Sequence, residues 1–265
     1  MCGIVGFTGG IAEQGRAEHI LNSMLTRIRH RGPDEAGIYI SPQAGLGSVR
    51  LSILDLSTGQ QPLCDDTGRF WITFNGEIFN YLELRADLEK KGVHFSTHSD
   101  TEVLLLAYRE YGADCLSLLN GQFAFAIWDN QRKSLFMARD RVGIRPLFYT
   151  IHEGRLIFAS EIKAIFEFPG VPRNFDRDGL SQVFTFWSTL TPDTAFEGVK
   201  ELSPGHYLEF EYGHVALKRY WSQQFPRNGE SFRGSFEEAG EELEALLSDA
   251  VKLRLRSDVP VGARS

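Results

Sequence analysis

The sequence predicts an α+β fold, a layered sandwich of antiparallel sheets with helices between groups of strands, on three observations. Its strands cluster in hairpins instead of alternating one by one with helices, which argues against a doubly wound parallel sheet. Residues 121–160 alone read as four strands, GQFAFAIWD, SLFMARD, PLFYTI and RLIFAS, separated by turn residues. These strands carry Phe and Trp on both faces, as a sheet covered on both sides requires.

Each element has its own signal. Residues 3–7 (GIVGF) read as a short buried strand ending at the Gly9-Gly10 turn. Ala17, Leu21, Met24, Leu25 and Ile28 recur at helical spacing, and Gly32-Pro33 stops that helix. Strands follow at 37–40 (GIYI), 44–50 (AGLGSVR) and 70–74 (FWITF), the last running into Asn75-Gly76, where a turn is expected. A helix over 81–91 has Asn80 as its expected N-cap and Gly92 as its stop. Ser99 with Glu102 signals a second helix, running to Gly112. Helices are expected at 161–168 and 178–186, then a hairpin of HYLEFE and HVALKRYW around Tyr212-Gly213. Residues 222–234 read as a polar linker, and 235–256 as an amphipathic helix, acidic first and basic last.

Composition narrows the function classes. The chain has 265 residues, a net charge of −7 and a pI near 5.6, so it offers no broad basic field to nucleic acid. Cys2, Cys64 and Cys115 are an odd number at wide spacing, which argues against a disulfide framework and suits the cytoplasm. The start MCGIVGFTGG lacks the basic region and length of a secretory signal, and no apolar run approaches the roughly 20 residues of a membrane span. Neither a dinucleotide fingerprint nor a phosphate loop is present. His94 and His98 lack a completing Cys or carboxylate cluster, so no metal is expected.

Cys2 is the most informative position. Its small side chain permits removal of Met1, which would leave a thiol and a free α-amine on one residue. A free thiol has a pKa of about 8.5 and an α-amine about 7.7–8.0, so the amine can act as a base near neutral pH. A lone Cys is more often accidental, and its context decides.

That context is MCGIVGF followed in order by HRGPDEAG (30–37), VRLSILD (49–55), FNGEIFNY (74–81), SDTE (99–102), GQFAFAIWD (121–129) and ARDRVGIRPLFY (138–149). The series resembles the class II glutamine amidotransferases, and more narrowly the glutaminase half of glutamine-dependent asparagine synthetases. The resemblance implies an N-terminal nucleophile hydrolase fold, a four-layer αββα sandwich of two antiparallel sheets. It also implies hydrolysis of glutamine to glutamate and ammonia through a thioester on Cys2.

Site residues follow from the same resemblance. Asn75 would lend its carboxamide and Gly76 its backbone N–H to the oxyanion, glycine allowing close approach and an unusual φ. In isolation Asn-Gly is a hairpin turn, and both readings can hold together. Arg50 would bind the substrate α-carboxylate, although alone it reads as a surface arginine. Asp100 and Glu77 would face the α-ammonium, yet Asp100 also suits the first turn of a helix and Glu77 simply follows a turn. Leu51, Ile53 and Leu54 would line the pocket, or be core. Arg31, Asp34, Arg139, Asp140 and Pro146 are given structural roles, with buried Arg-Asp pairs as the expected reason.

The resemblance also frames the organisation. Residues 1–210 are expected to form the amidotransferase domain, 211–234 the end of a hairpin and a linker, and 235–265 the first helix of a synthetase domain cut before its ATP-binding loop. ATP and magnesium would belong to that further domain, and this chain would need no cofactor. Glutamine is the expected small-molecule partner, with no nucleic acid or membrane. The terminal helix is expected to be mobile or to cover its apolar face with another chain, which leaves room for a homodimer. Alternatives are the glutaminase domain of another class II amidotransferase and a non-catalytic regulatory domain of the same fold. A retained Met1 would turn the α-amine into an amide and remove the base. The terminal Arg264-Ser265 would be a cloning remnant.

Overall fold

The computed structural model describes residues 2–11, 14–226, 232–260 and 262, so Met1 and Arg264-Ser265 lie outside the described residues. In chain order the elements are β1 (Gly3–Thr8), α1 (Gln14–Ile28), β2 (Glu35–Ser41), β3 (Ala44–Arg50), β4 (Leu63–Cys64), β5 (Phe70–Ile78), α2 (Tyr81–Lys90), α3 (Asp100–Tyr111), α4 (Cys115–Leu118), β6 (Gly121–Asp129), β7 (Ser134–Arg139), β8 (Phe148–His152), β9 (Arg155–Ala159), α5 (Ile162–Ile165), α6 (Arg177–Phe186), β10 (Val199–Glu201), β11 (His206–Glu211), β12 (His214–Arg219) and α7 (Phe236–Arg254).

The strands form two six-stranded antiparallel sheets, β10-β8-β9-β1-β3-β2 and β12-β11-β7-β6-β5-β4. Alternation along each central strand sorts its side chains between two cores. In β6, Ala124, Ala126 and Trp128 face the first sheet, with Ile4, Leu46 and Phe158 opposite them. Phe123, Phe125 and Ile127 face outward, onto Leu84 and Leu88 of α2 and Val103 and Leu106 of α3. In β1, Val5 and Phe7 point outward to Leu21, Met24 and Ile28 of α1. Three hydrophobic layers therefore separate four layers of secondary structure, the αββα sandwich the sequence implies. The two-sided covering fails at one end, where every residue of β12 is exposed.

Several local expectations need correction. No turn forms at Asn75-Gly76: β5 runs on to Ile78, with Asn75 opposite Ala124 and Gly76 opposite Phe123. Gly76 is outside the positive-φ region, and its glycine is required by crowding, since a Cβ there would lie 2.2 Å from the Gln122 carbonyl oxygen. Asn80 makes no side-chain cap to α2. Its amide ties the chain before β6, donating to the Leu118 carbonyl at 2.9 Å and accepting from Asn120 N at 2.9 Å. The helix expected at 161–168 is only the single turn α5. Ser99 caps α3 as expected, and Ser235 with Glu238 forms a capping box on α7.

The expected Arg-Asp pairs are not what orders the motif loops. Arg31 pairs with Glu161 at 3.1 Å and Arg139 with Glu201 at 2.8 Å. Asp34 accepts from Ser52 N at 2.9 Å, while Asp140 folds the 140–145 turn through its backbone N–H groups. Helix α7 has no buried residue. The segment after it is nonetheless docked on the main body, with Arg256 bonded to Glu83 at 2.6 Å.

Candidate active site

The nine residues singled out in the sequence meet in one place. A cavity of about 170 Å³ is lined by Cys2, Arg50, Leu51, Ile53, Leu54, Asn75, Gly76, Glu77 and Asp100, together with Gln61, Phe74, Ser99, Thr101 and Arg145. Two sheets and one helix start deliver them. Cys2 precedes β1, a central strand of the first sheet, Arg50 ends the neighbouring β3, and Asn75 to Glu77 lie on β5 of the second sheet. Asp100 opens α3.

The geometry along β5 makes an opening for a polar ligand. Strand β4 covers only Ile72 and Trp71, so the rest of that edge of β5 has no strand beside it. Opposite Gly76, Phe123 directs its N–H to Asp140 Oδ2 and its C=O to Asp140 N, away from β5. Gly76 and its alternate neighbours therefore aim their N–H groups at the open edge. Phe74 N donates to Gln61 Oε1 at 2.7 Å and Ile78 N to Asp100 Oδ2 at 3.0 Å. The Gly76 N–H between them finds no such partner among the described residues. Beside it, Asn75 is 0% exposed and both its side-chain atoms lack a hydrogen-bond partner. A buried carboxamide with no partner costs stability, and this one lies on the wall of a cavity.

Charge in the cavity is equally unbalanced. Burial pushes the Cys2 thiol up, with the Arg50 guanidinium opposing and Asp100 adding to the rise. Its Sγ points at the Leu51 carbonyl, 3.7 Å away, and Arg31 Nε holds the Cys2 carbonyl at 3.0 Å. Burial also pushes the Asp100 carboxyl up to about 7, the Ile78 N–H working against it and the nearby Glu77 charge with it. Arg50 donates to the carbonyls of Leu54 at 2.6 Å and Asp55 at 2.8 Å, and to Glu35 at 3.1 Å, so it braces the loop after β3 as well as lining the cavity. Glu77 has only a long bond from Gln122 Nε2, at 3.4 Å.

Sequence reasoning missed two polar contributors. Gln61 bridges Phe74 N and Thr101 Oγ1, fixing the loop against both β5 and α3. Nothing local marks it, since its role depends on residues 13 and 40 positions away. Arg145 lies in the ARDRVGIRPLFY motif, where nothing local sets it apart from Arg139 and Arg141. It is buried, its Nε has no partner, and burial pulls its guanidinium below the ordinary value while Glu77 and Cys2 oppose. Among the described residues, no group of three or more His, Cys, Asp or Glu side chains could hold a metal ion, and no helix is long and apolar enough to cross a membrane.

Two stacked antiparallel sheets thus bring the Cys2 thiol and the open edge of β5 into one cavity. The solved structures share this architecture: the allosteric regulatory enzyme of purine biosynthesis aligns with a TM-score of 0.61 at 22% identity, covering 84% of this chain and 50% of that one. The glutamine phosphoribosylpyrophosphate amidotransferase of Bacillus subtilis aligns at 0.59 and 23%. The overall fold is thus one that these solved structures share. The chain belongs to the glutamine amidotransferase domain family, whose model matches residues 1–221. Among curated proteins it is 39% identical over 264 residues to asparagine synthetase [glutamine-hydrolyzing] 3 of Bacillus subtilis (strain 168), covering 98% of this chain and 42% of that protein. It is 38% identical to amidase chry2 of Gibberella zeae, covering 40% of that protein. The chain therefore spans about two-fifths of the length of these relatives.

Proposed function

We propose that the domain hydrolyses glutamine with Cys2 as nucleophile and supplies the ammonia to an asparagine synthetase. The observation that carries this reading is the pairing of an unpartnered, fully buried Asn75 carboxamide with an open Gly76 N–H in the cavity that holds Cys2. In the proposed first step, Cys2 Sγ attacks the γ-carboxamide carbon and its proton moves to the α-amine of Cys2. The carbonyl oxygen takes the negative charge and accepts from Asn75 Nδ2 and Gly76 N–H. The C–N bond then breaks, the amine's proton leaves with nitrogen as ammonia, and a thioester remains. Water cleaves the thioester, releasing glutamate and restoring the thiol. No cofactor enters these steps.

The other lining groups suit the amino-acid end of the substrate. Asp100, with Glu77 beside it, would hold the α-ammonium. The Arg50 Nε–H, which the loop carbonyls leave over, would hold the α-carboxylate, with Arg145 adding positive charge. Leu51, Ile53 and Leu54 would close over the methylenes. The asparagine synthetase assignment rests on relatives of that name and on the helix-then-DVPVGA run of the sequence. The cytoplasm is the proposed location, since reduced thiols suit the chemistry.

Ammonia release from glutamine, measured alongside N-terminal mass on the same sample, tests the mechanism. Chains that begin at Cys2 should turn over and chains that keep Met1 should be nearly inactive. Equal turnover by both would overturn the α-amine as the base.

A further inference from the structure

We propose that Asp258, in the segment following α7, is a positioning residue for the wall of the glutamine cavity formed by residues 51–55. The starting observation is Asp55, a buried residue in the left-handed region at φ 48°. Its own polar groups are almost all used locally. The carboxylate accepts from Thr58 N at 2.8 Å, Thr58 Oγ1 at 2.6 Å and His98 N at 2.8 Å, and the carbonyl accepts from Arg50 Nη2 and Gly59 N. Beyond the His98 contact, the N–H reaches furthest along the chain. It donates to Asp258 Oδ2 at 2.7 Å, a partner 203 residues away in sequence.

The contact is reciprocal, since Asp258 N donates to the Ile53 carbonyl at 3.1 Å. The two bonds clamp the loop at Ile53 and Asp55, on either side of Leu54, and Ile53 and Leu54 both line the glutamine cavity. One of the bonds joins a carboxylate to a partly buried backbone N–H, which is the stronger kind. The clamp has its own anchor. Arg256 donates to both carboxylate oxygens of Glu83 and to the Phe79 carbonyl, each at 2.6 Å, and the Arg254 guanidinium sits 4.6 Å from the Phe79 ring centroid. No residue of α7 is fully buried, so these contacts of Arg254 and Arg256 do more than packing of the rest of the helix to fix where the segment lies. A second cavity, of about 410 Å³, is lined by Arg256 and Val259 together with Ile53 and Glu77, and the last two also line the cavity of Cys2.

Asp258 acts through Ile53 and Asp55 and touches no reacting atom, so its loss should loosen substrate binding more than it slows chemistry. This functional half rests on the glutamine reading above; the clamp itself does not. The test uses the full chain with D258A and D258N, the second keeping a side-chain oxygen able to accept from Asp55 N–H. In D258A, amide hydrogen exchange over residues 53–58 should quicken about tenfold or more. The KM for glutamine should rise roughly threefold to tenfold with kcat changed by less than about twofold. D258N should stay near the parent on both measures. Unchanged exchange in D258A would overturn the clamp, and faster exchange with an unchanged KM would overturn its positioning role. If the parent chain releases no ammonia, the failure belongs to the glutamine reading, and exchange alone decides the clamp.

Discussion

Two clusters of buried polar groups lie at opposite sides of Phe123, and they are built on opposite principles. Around Asp140 every group is answered. Its carboxylate accepts from the N–H groups of Phe123, Val142, Ile144 and Arg145, while Arg139 donates to the carbonyls of Gly143, Arg145 and Leu202. Around Asn75 the groups are left open: among the described residues neither atom of its carboxamide is partnered, nor is the Nε of Arg145. A satisfied network fixes a loop, whereas an unsatisfied one stores affinity for a ligand at the expense of stability.

The comparison can be broken at its open end first. Replacing Asn75 with Ala removes a proposed oxyanion donor and should lower kcat for glutamine hydrolysis by roughly 10²–10³-fold. Because that side chain forfeits no hydrogen bond, thermal or denaturant stability should stay within about 1 kcal/mol of the parent. A large stability loss would mean the carboxamide is a structural group after all.

At the closed end the outcome should reverse. Asp140→Asn turns a pure acceptor into a group that presents N–H toward backbone N–H, and should cost about 3 kcal/mol of unfolding free energy. Denaturant titration checks this, and an unaffected midpoint would show that the 140–145 turn is held by other means.

The smallest effect, and the one that sharpens the contrast, is in pH. The Asp100 carboxyl, pushed up to about 7, is protonated below that pH and cannot pair with an ammonium. The KM for glutamine should therefore rise as pH falls through about 7, and Asp100→Asn should lack this limb. Linkage gives stability the opposite sign. A carboxyl raised in the folded state contributes stability that is complete below its unfolded pKa and is lost as pH rises towards 7. Asp100→Asn should thus gain on the parent in unfolding titrations between pH 4 and 8; a gap that narrows with rising pH would contradict the burial argument.

How much of this was legible beforehand differs between fold and site. The hairpin-rich pattern and the double-faced aromatics of 121–129 are local signals, and both sheets follow from them. β4 and β10, of two and three residues, carry no pattern long enough to read. Asn75-Gly76 misled because Asn-Gly favours a turn in isolation, while here the neighbour β6 requires glycine by close approach. Cys2, Arg50 and Asp100 were reached by resemblance and are brought together by the fold. Gln61, Arg145 and Asp258 were not, because their importance lies in partners, or in missing partners, far along the chain.

The central claim is that the thiol of Cys2 shares its cavity with the open donors of β5. Mass mapping after reaction with a glutamine-analogue electrophile tests it most directly. Burial raises all three thiols, Cys64 to about 11 and Cys115 to about 12, and Cys2 alone of the three lines the cavity where the electrophile would be held. The modification should fall on Cys2 alone and be suppressed by excess glutamine. Label on Cys64 or Cys115, or label on Cys2 that glutamine does not protect, would contradict the account.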